Sequence, residues 1–155
     1  MTLLEPPPVK PEKSRAMAFT VAAVSVAVIV VLWLVFRYYP EKKAAEHFFA
    51  ALAIGNTDLA YKLWKPAPSY SMKDFLADWG PEGYYGPVKS YEILKTCAPH
   101  SSNAVDVSVA VSPFSPMPQA GDEEKSRKTK VVSVWVVTSD KSLSFPPGPA
   151  ACHFL

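Results

Sequence analysis

The N-terminal part of the chain carries a long uninterrupted apolar segment. Between Arg15 and Arg37 no residue is charged, and the run AMAFTVAAVSVAVIVVLWLVF consists mainly of Ala, Val, Leu, Ile and Phe. A helix of this length, at about 1.5 Å per residue, spans roughly 30 Å, the thickness of the hydrocarbon core of a bilayer. The pattern therefore predicts a transmembrane helix over residues 16–39, with aromatic residues at its C-terminal end and Pro40 as its stop or kink.

A cleavable signal peptide is the alternative to an uncleaved anchor. The apolar core of a signal peptide usually covers about 7 to 15 residues and ends in a small-x-small site. The segment here is longer and is followed by bulky aromatic residues, which favours the anchor. The basic residues that flank the segment are balanced, so the positive-inside count is a tie. The short basic tail favours a signal anchor, with the N-terminus in the cytoplasm and the remainder periplasmic or extracytoplasmic.

Small residues are concentrated in the first half of the apolar segment. Ala18, Ala22 and Ser25 recur at helical spacing, and small side chains allow two helices to approach closely in lipid. These three residues are candidate contacts with another membrane helix. A lipid-facing anchor with ordinary alanines is the alternative. The hydroxyls of Thr20 and Ser25 are expected to return to backbone carbonyls one turn earlier.

Beyond Pro40 the apolar positions take a helical period. The apolar stripe of the first helix in this region consists of Ala45, Phe48, Phe49 and Leu52. Thr57 is expected to cap a second helix, which carries Leu59, Ala60, Leu63 and Trp64. A third helix is predicted from Ser71, because Ser71 and Asp74 have capping-box spacing.

From Val88 onward the period falls to two, which predicts strands. The clearest one alternates four valines, at 105, 107, 109 and 111, with Asp106, Ser108 and Ala110. Strands are also predicted in KSYEILKTCA, in TKVVSVWVVTS and over 142–145. The predicted fold class is α+β: one N-terminal transmembrane helix, then about three helices packed on a curved antiparallel sheet of three to four strands.

Four regions follow from these patterns. Residues 1–15 form a Pro-rich tail with extended polyproline character, and residues 16–39 form the transmembrane helix. Residues 41–145 form the α+β domain. Residues 146–155 form a Pro-rich C-terminal tail.

Composition and charge narrow the possible partners. The chain has 155 residues and a net charge of +2, which is too mild for the clustered basic surface of a nucleic-acid binder. No CxxC or HExxH spacing is present, so neither metal nor cofactor is predicted. The two cysteines, Cys97 and Cys152, could form a disulfide in an oxidising exterior; two separate thiols are the alternative.

Two loops break the periodic pattern and carry large apolar side chains. The stretch SPFSPMPQAGDEEKSRK is long for a hairpin connection and contains Phe114 and Met117, while GPEGYYGP contains Tyr84 and Tyr85. Aromatic and thioether side chains on loops are typical of protein interfaces. These four residues are therefore candidate partner contacts, although a simple surface loop is the alternative for the longer stretch.

Three helices followed by a curved sheet resemble the nuclear transport factor two-like, or cystatin-like, superfamily. The segments that carry the resemblance are AAEHFFAALAIGNTDLAYKLW for the opening helices, and VKSYEIL, AVDVSVAV and VVSVWVV for the strands. The resemblance covers residues 41–145. Members with one N-terminal membrane helix include the inner-membrane component of bacterial type IV secretion systems, and such members are mostly scaffolds.

The same superfamily contains isomerases and dehydratases that use a His or an Asp inside the cone between helix and sheet. The resemblance makes His47 and Asp106 the candidates for such chemistry. His47, however, lies opposite the apolar stripe of its helix, and Asp106 lies opposite the valine face and is expected to reach solvent. Prolines after residue 145 end the last strand early, where the family commonly closes the cone.

The expected function is therefore non-catalytic. We expect a single-pass membrane protein that acts as an accessory, scaffold or assembly subunit of a larger membrane complex, with the lipid bilayer and other subunits as its partners. The alternative is a membrane-tethered small-ligand binder, or an isomerase- or dehydratase-like enzyme, that uses the interior of the cone.

Overall fold

The computed structural model describes residues 15–99 and 102–148. Within these ranges the elements are, in order, α1 (Arg15–Phe36), α2 (Tyr39–Ala53), α3 (Thr57–Trp64), α4 (Met72–Trp79), β1 (Ser90–Cys97), β2 (Ala104–Ser112), α5 (Glu123–Ser126), β3 (Lys130–Val137) and β4 (Leu143–Ser144). The chain divides after Arg37 into two compact units.

The first unit contains α1, an apolar helix whose side chains are exposed from Met17 onward. It has a mean hydropathy of 2.8 over an 18-residue window, no part of which is buried. The hydroxyls of Thr20 and Ser25 donate to the carbonyls of Met17 and Val21, both at 2.9 Å, as expected. This helix is long and apolar enough to be a membrane span or a signal sequence.

The second unit begins with two helices joined by a tight turn. Pro40 does not stop a helix; it lies in the first turn of α2, where its missing N–H costs no hydrogen bond. The predicted apolar stripe of α2 is buried, as expected. The cap of α3 is Asn56, whose Oδ1 accepts from Leu59 N at 3.0 Å, so the assignment of this cap to Thr57 was wrong. An Asn side chain reaches the free N–H groups as well as a hydroxyl does.

The third predicted helix is α4, and its capping box is confirmed. Ser71 Oγ accepts from Asp74 N at 3.3 Å, and Asp74 Oδ2 accepts from Ser71 N at 2.9 Å. The helix ends before Gly80. Its buried side chains are Phe75 and Trp79.

The strands form an open antiparallel sheet in the order β1-β2-β3-β4. Residue Val107 of β2 pairs with Thr96 of β1 and Val134 of β3, and a register shift lies between Ile93 and Lys95 of β1. The predicted valine face of β2 is fully buried. The expectation of an α+β fold with an antiparallel sheet of three to four strands is confirmed.

The core lies between the helices and the valine face of the sheet. Phe48 is at its centre and makes edge-to-face or tilted contacts with Phe49, Trp64, Phe75 and Trp79, at 5.0 to 6.2 Å between ring centroids. Such pairs add about 0.5–1.5 kcal/mol each beyond the burial of their surface. Aromatic rings therefore fill the space between the helices and the sheet.

Candidate functional site

Asp106 is the candidate whose position differs most from the sequence prediction. It is 0% exposed, so the expectation that it reaches solvent was wrong. Every residue of β2 is buried, on both faces of the strand. β2 is paired along its length with β1 and β3, and its outer-face residues Ala104, Ser108 and Ala110 are small. The alternating pattern of an ordinary half-exposed strand therefore fails here.

The neighbours of Asp106 across the sheet are Cys97 on β1 and Trp135 on β3. Cys97 belongs to a disulfide bond. Cys152 lies outside the described residues, so the pairing of these two cysteines stays a prediction. The indole Nε1 of Trp135 is buried and has no hydrogen-bond partner among residues 15–99 and 102–148.

One pair further along the same face, two hydroxyls join β2 to β3. Ser108 Oγ and Ser133 Oγ are 3.0 Å apart. The outer face of the sheet therefore combines a carboxylate, two serines and an indole, all at least partly shielded from water. Because these polar groups are shielded from water, they need hydrogen-bond partners within the protein. The outer face therefore has a structural role.

His47 and Asp106 are not brought together. His47 is exposed on α2, on the side away from the core, and Asp106 lies on the face of the sheet opposite the valines that α2 covers. Neither residue faces the interior between the helices and the sheet. Within the described part of the chain, no group of three or more His, Cys, Asp and Glu side chains is placed to hold a metal ion.

The two tyrosines predicted as partner contacts occupy different environments. Tyr84 is 66% exposed, and the ammonium of Lys130 lies 4.4 Å from its ring centroid while donating to its backbone carbonyl. The ring of Tyr85 stacks on Trp79 at 4.9 Å. Burial is the main cause that raises the pKa of the Tyr85 phenol, and the neighbouring Tyr84 raises this pKa further. Tyr85 is therefore used largely by the core, and Tyr84 presents its ring to solvent.

The loop that holds these tyrosines is fixed by backbone hydrogen bonds. Tyr84 N and Tyr85 N donate to the carbonyls of Ala77 and Asp78, at 2.9 and 2.8 Å. A Cβ at Gly86 would overlap the carbonyl oxygen of Gly80, so only glycine allows this close approach. The position of Tyr84 is thus set by the end of α4.

Phe114 and Met117 lie on a loop that folds back against the start of β1. Ser90 Oγ is 2.6 Å from Phe114 O and 3.3 Å from Met117 Sδ, and both loop residues are half-buried. The ammonium of Lys128 lies 5.8 Å from the Phe114 ring centroid. We call the set Tyr84, Phe114, Met117, Lys128 and Lys130 the aromatic–lysine patch. Each ring of the patch lies beneath a lysine, and the two lysines are separated by one residue.

The three small residues of α1, Ala18, Ala22 and Ser25, are exposed on that helix. Their spacing as a common face agrees with the helical period. Contact between α1 and another helix stays a prediction.

One surface feature was not anticipated: a furrow between α2 and α3. It consists of two adjoining hollows, of about 300 and about 360 Å³, that share His47 and Leu63. The first is lined in addition by Pro40, Lys43, Ala44, Lys65, Lys141 and Leu143, and the second by Ala50, Ala51, Ile54 and Leu59. The lining residues that belong to α2 recur at helical spacing on the side opposite the buried stripe. This periodicity is visible in the sequence. We call this surface the α2–α3 furrow.

A buried ion pair lies beside the furrow. Lys141 Nζ is 2.7 Å from Glu41 Oε1, and Glu41 is 5% exposed. In the turn that carries Lys141, the N–H and the O–H of Ser142 donate to Asp140 and lower the pKa of its carboxyl. The first turn of α2 is therefore tied to the turn between β3 and β4.

Comparisons of the chain with protein-family models, with curated proteins and with solved structures find no match.

Proposed function

We propose that the protein is a single-pass membrane protein whose folded domain acts, without catalysis, as an accessory, scaffold or assembly subunit of a larger membrane complex. The observation that carries the proposal is α1, a 22-residue apolar helix with exposed side chains. In water such a helix would expose an apolar surface around its whole circumference, which soluble proteins avoid. A bilayer removes that cost.

The end of α1 supports placement at a membrane interface. The Arg37 guanidinium lies 5.0 Å from the Trp33 ring centroid. Tryptophan and arginine favour the headgroup region, where the ring is half in apolar surroundings and the charge stays hydrated. The bilayer boundary is thus proposed at residues 33–37.

The aromatic–lysine patch is the proposed contact with a partner subunit. Tyr84 is 66% exposed, whereas the ring of the adjacent Tyr85 stacks on Trp79. Tyr side chains bury a large area at low entropic cost, and they are enriched among residues that dominate binding energy. Lys128 and Lys130 favour an acidic surface on the partner.

The packing of the core disfavours the alternative of a ligand binder or an enzyme that uses the cone. The interior between helices and sheet is occupied by the Phe48-centred aromatic cluster, and both candidate catalytic residues lie outside it. The likeness of residues 41–145 to the nuclear transport factor two-like superfamily remains part of the proposal. The succession of α2, α3 and α4 before an antiparallel sheet supports it.

The experiment is extraction of the full chain from membranes in mild detergent, followed by native-gel separation and mass spectrometry of co-migrating chains. We expect a stable complex that the double variant Tyr84→Ala, Phe114→Ala releases, while its thermal stability stays close to that of the native chain. Leu76→Ala, which alters an exposed side chain on α4, is the matched control and should leave the complex intact. Migration of the native chain as a lone small protein would contradict the proposal.

A further inference from the structure

The α2–α3 furrow has chemically different ends. Lysines line the end near the start of α2, and apolar side chains line the end near the turn into α3. Between Lys43 and Ile54 the axis of α2 advances about 16 Å. The furrow is thus long and has its lysines at one end only.

The apolar end exposes large aliphatic side chains. Ile54 is 75% exposed and Leu59 42% exposed, and together with Ala50, Ala51 and Leu63 they border the 360 Å³ hollow. Both hollows have volumes in the range of small-molecule sites, roughly 300–1,000 Å³.

The cationic end retains donors that the fold does not use. Lys43 binds Glu46 at 2.6 Å, and the Lys65 ammonium donates to the backbone carbonyl of Asp140 rather than to a carboxylate. An ammonium group has three N–H donors, so each of these lysines can bind a further acceptor. Lys141 also lines this end, but its charge is compensated by Glu41, so the binding of an acceptor falls to Lys43 and Lys65.

The neighbouring sequence indicates where an occupant would come from. Pro40 lines the cationic end and follows Arg37 by three residues, so chain length alone keeps it within about 11 Å of the end of the apolar segment. Headgroups and free acids of a bilayer are available at that distance.

We propose that the α2–α3 furrow binds a long-chain fatty acid from the bilayer, with the carboxylate at Lys43 and Lys65 and the acyl chain along Ala50, Ile54 and Leu59. The proposal rests on the membrane anchoring proposed above, because the bilayer supplies the ligand. A single acyl chain matches a furrow of this length, and its one carboxylate can accept from the remaining N–H donors of Lys43 and Lys65.

The test uses the full chain in phosphatidylcholine vesicles, with photoactivatable palmitic acid or the matching hexadecanol as probe. After irradiation, mass spectrometry maps the labelled peptides. We expect palmitic acid to label residues 43–65 as well as α1, and to exceed hexadecanol in the furrow but not on α1. Labelling of α1 without labelling of the furrow would overturn this proposal and leave the anchoring intact, whereas absence of label on α1 would count against the anchoring itself.

Two sets of variants assign the label to the furrow. Ile54→Gln with Leu59→Gln should reduce furrow labelling by about tenfold, since each substitution removes aliphatic surface that the bound acyl chain would cover. Leu76→Gln with Leu94→Gln, at exposed positions elsewhere, is the control. Lys65→Gln should lower labelling by palmitic acid several-fold and leave hexadecanol unaffected, and Lys62→Gln, in the last turn of α3, should change neither. Near-ultraviolet circular dichroism verifies that each variant is folded. Equal labelling of native and furrow variants would overturn the assignment.

Discussion

Asp106 holds a carboxylate at a position that solvent does not reach. It lies between Cys97 and Trp135 in the sheet, and it has an interaction partner. A buried polar group is tolerated only when its hydrogen bonds replace those that water would supply. The cost of removing it therefore exceeds that of removing a surface carboxylate.

We expect Asp106→Ala to lower the free energy of unfolding by about 2 kcal/mol, because the interaction of the carboxylate inside the sheet is lost and a small cavity remains. Asp106→Asn, which keeps the shape, should cost less. Glu92→Ala, an exposed carboxylate on β1, is the control and should change stability by under about 0.5 kcal/mol. Thermal and denaturant unfolding of the full chain in detergent measure all three. Equal effects of the Asp106 and Glu92 variants would show that Asp106 is hydrated.

A second residue-scale prediction concerns pH and the capping box of α4. Hydrogen bonds from the Ser71 side chain, at 2.6 Å, and from its backbone N–H lower the pKa of Asp74 below its ordinary value of 3.8. A carboxyl with a lowered pKa in the folded state contributes stability above pH 3.8, and this contribution is lost as the pH falls through the folded pKa. Ser71→Ala should therefore lower the melting temperature at neutral pH, and the difference from the native chain should shrink below pH 3.8. Ser71→Thr keeps the hydroxyl and should behave as the native chain; a pH-independent difference for Ser71→Ala would contradict this account.

The caps show what local sequence can and cannot specify. Ser71 and Asp74 are three residues apart, and the side chain of each accepts a hydrogen bond from the backbone N–H of the other, so spacing alone predicts their contact. Asn56 and Thr57 are both good caps, and the choice between them depends on the turn that precedes α3. The burial of Asp106 depends on two neighbouring strands, which a single strand pattern does not contain.

At the scale of elements, two opposite sides of α2 have different roles. One side contributes Phe48 and Phe49 to the core, and the other lines the furrow. Its first turn is joined to the turn between β3 and β4 by Glu41 and Lys141. Glu41 Oε2 is buried and accepts no hydrogen bond from the described residues, so the carboxylate depends on Lys141 for compensation.

We expect Lys141→Met to lower the free energy of unfolding by about 3 kcal/mol, because it leaves the Glu41 charge buried without its counter-charge. Glu41→Gln should cost less, and the double variant should cost clearly less than the sum of the two, by about 1 kcal/mol or more. Chemical denaturation of the four chains gives the coupling. Strictly additive effects would mean that the pair contributes no interaction energy.

The elements themselves could largely be predicted, because their periods are local. Apolar spacing predicts α2 and α4, and alternating valines predict β2. The return of the long loop to β1 could not be predicted, since it depends on a hydrogen bond from Ser90 to Phe114, 24 residues away. The furrow could be predicted in part. Its α2 side has a helical period in the sequence, but its second wall forms only when α3 packs beside α2.

At the scale of the whole molecule, the chain consists of an apolar helix and a domain whose core is complete within itself. The apolar helix follows from composition alone, as does the presence of one small domain. The outward surfaces do not follow from composition. Tyr84 and Tyr85 are adjacent in sequence, yet the ring of Tyr85 stacks on Trp79 and the side chain of Tyr84 is exposed. The sequence can therefore place candidate contact residues on loops, but only the folded structure shows which of them are exposed.

Orientation in the membrane is the property on which the proposed function depends most. The basic residues on the two sides of α1 are balanced, so the flanking charges do not determine it. The orientation with the domain outside and the N-terminal tail inside, which the short basic tail favours, therefore stays a prediction.

This orientation can be measured with single cysteines in a background in which Cys97 and Cys152 are Ser. A cysteine at Ser115, which is exposed on the long loop, should react with a membrane-impermeant maleimide in intact cells. A cysteine at Thr2, which lies outside the described residues, should react only after permeabilisation. The intact mass of the purified chain serves as the control for cleavage, because loss of the N-terminal residues through α1 would identify a signal peptide instead of an anchor. The reverse labelling pattern would place the domain in the cytoplasm, where the aromatic–lysine patch would meet a different set of partners.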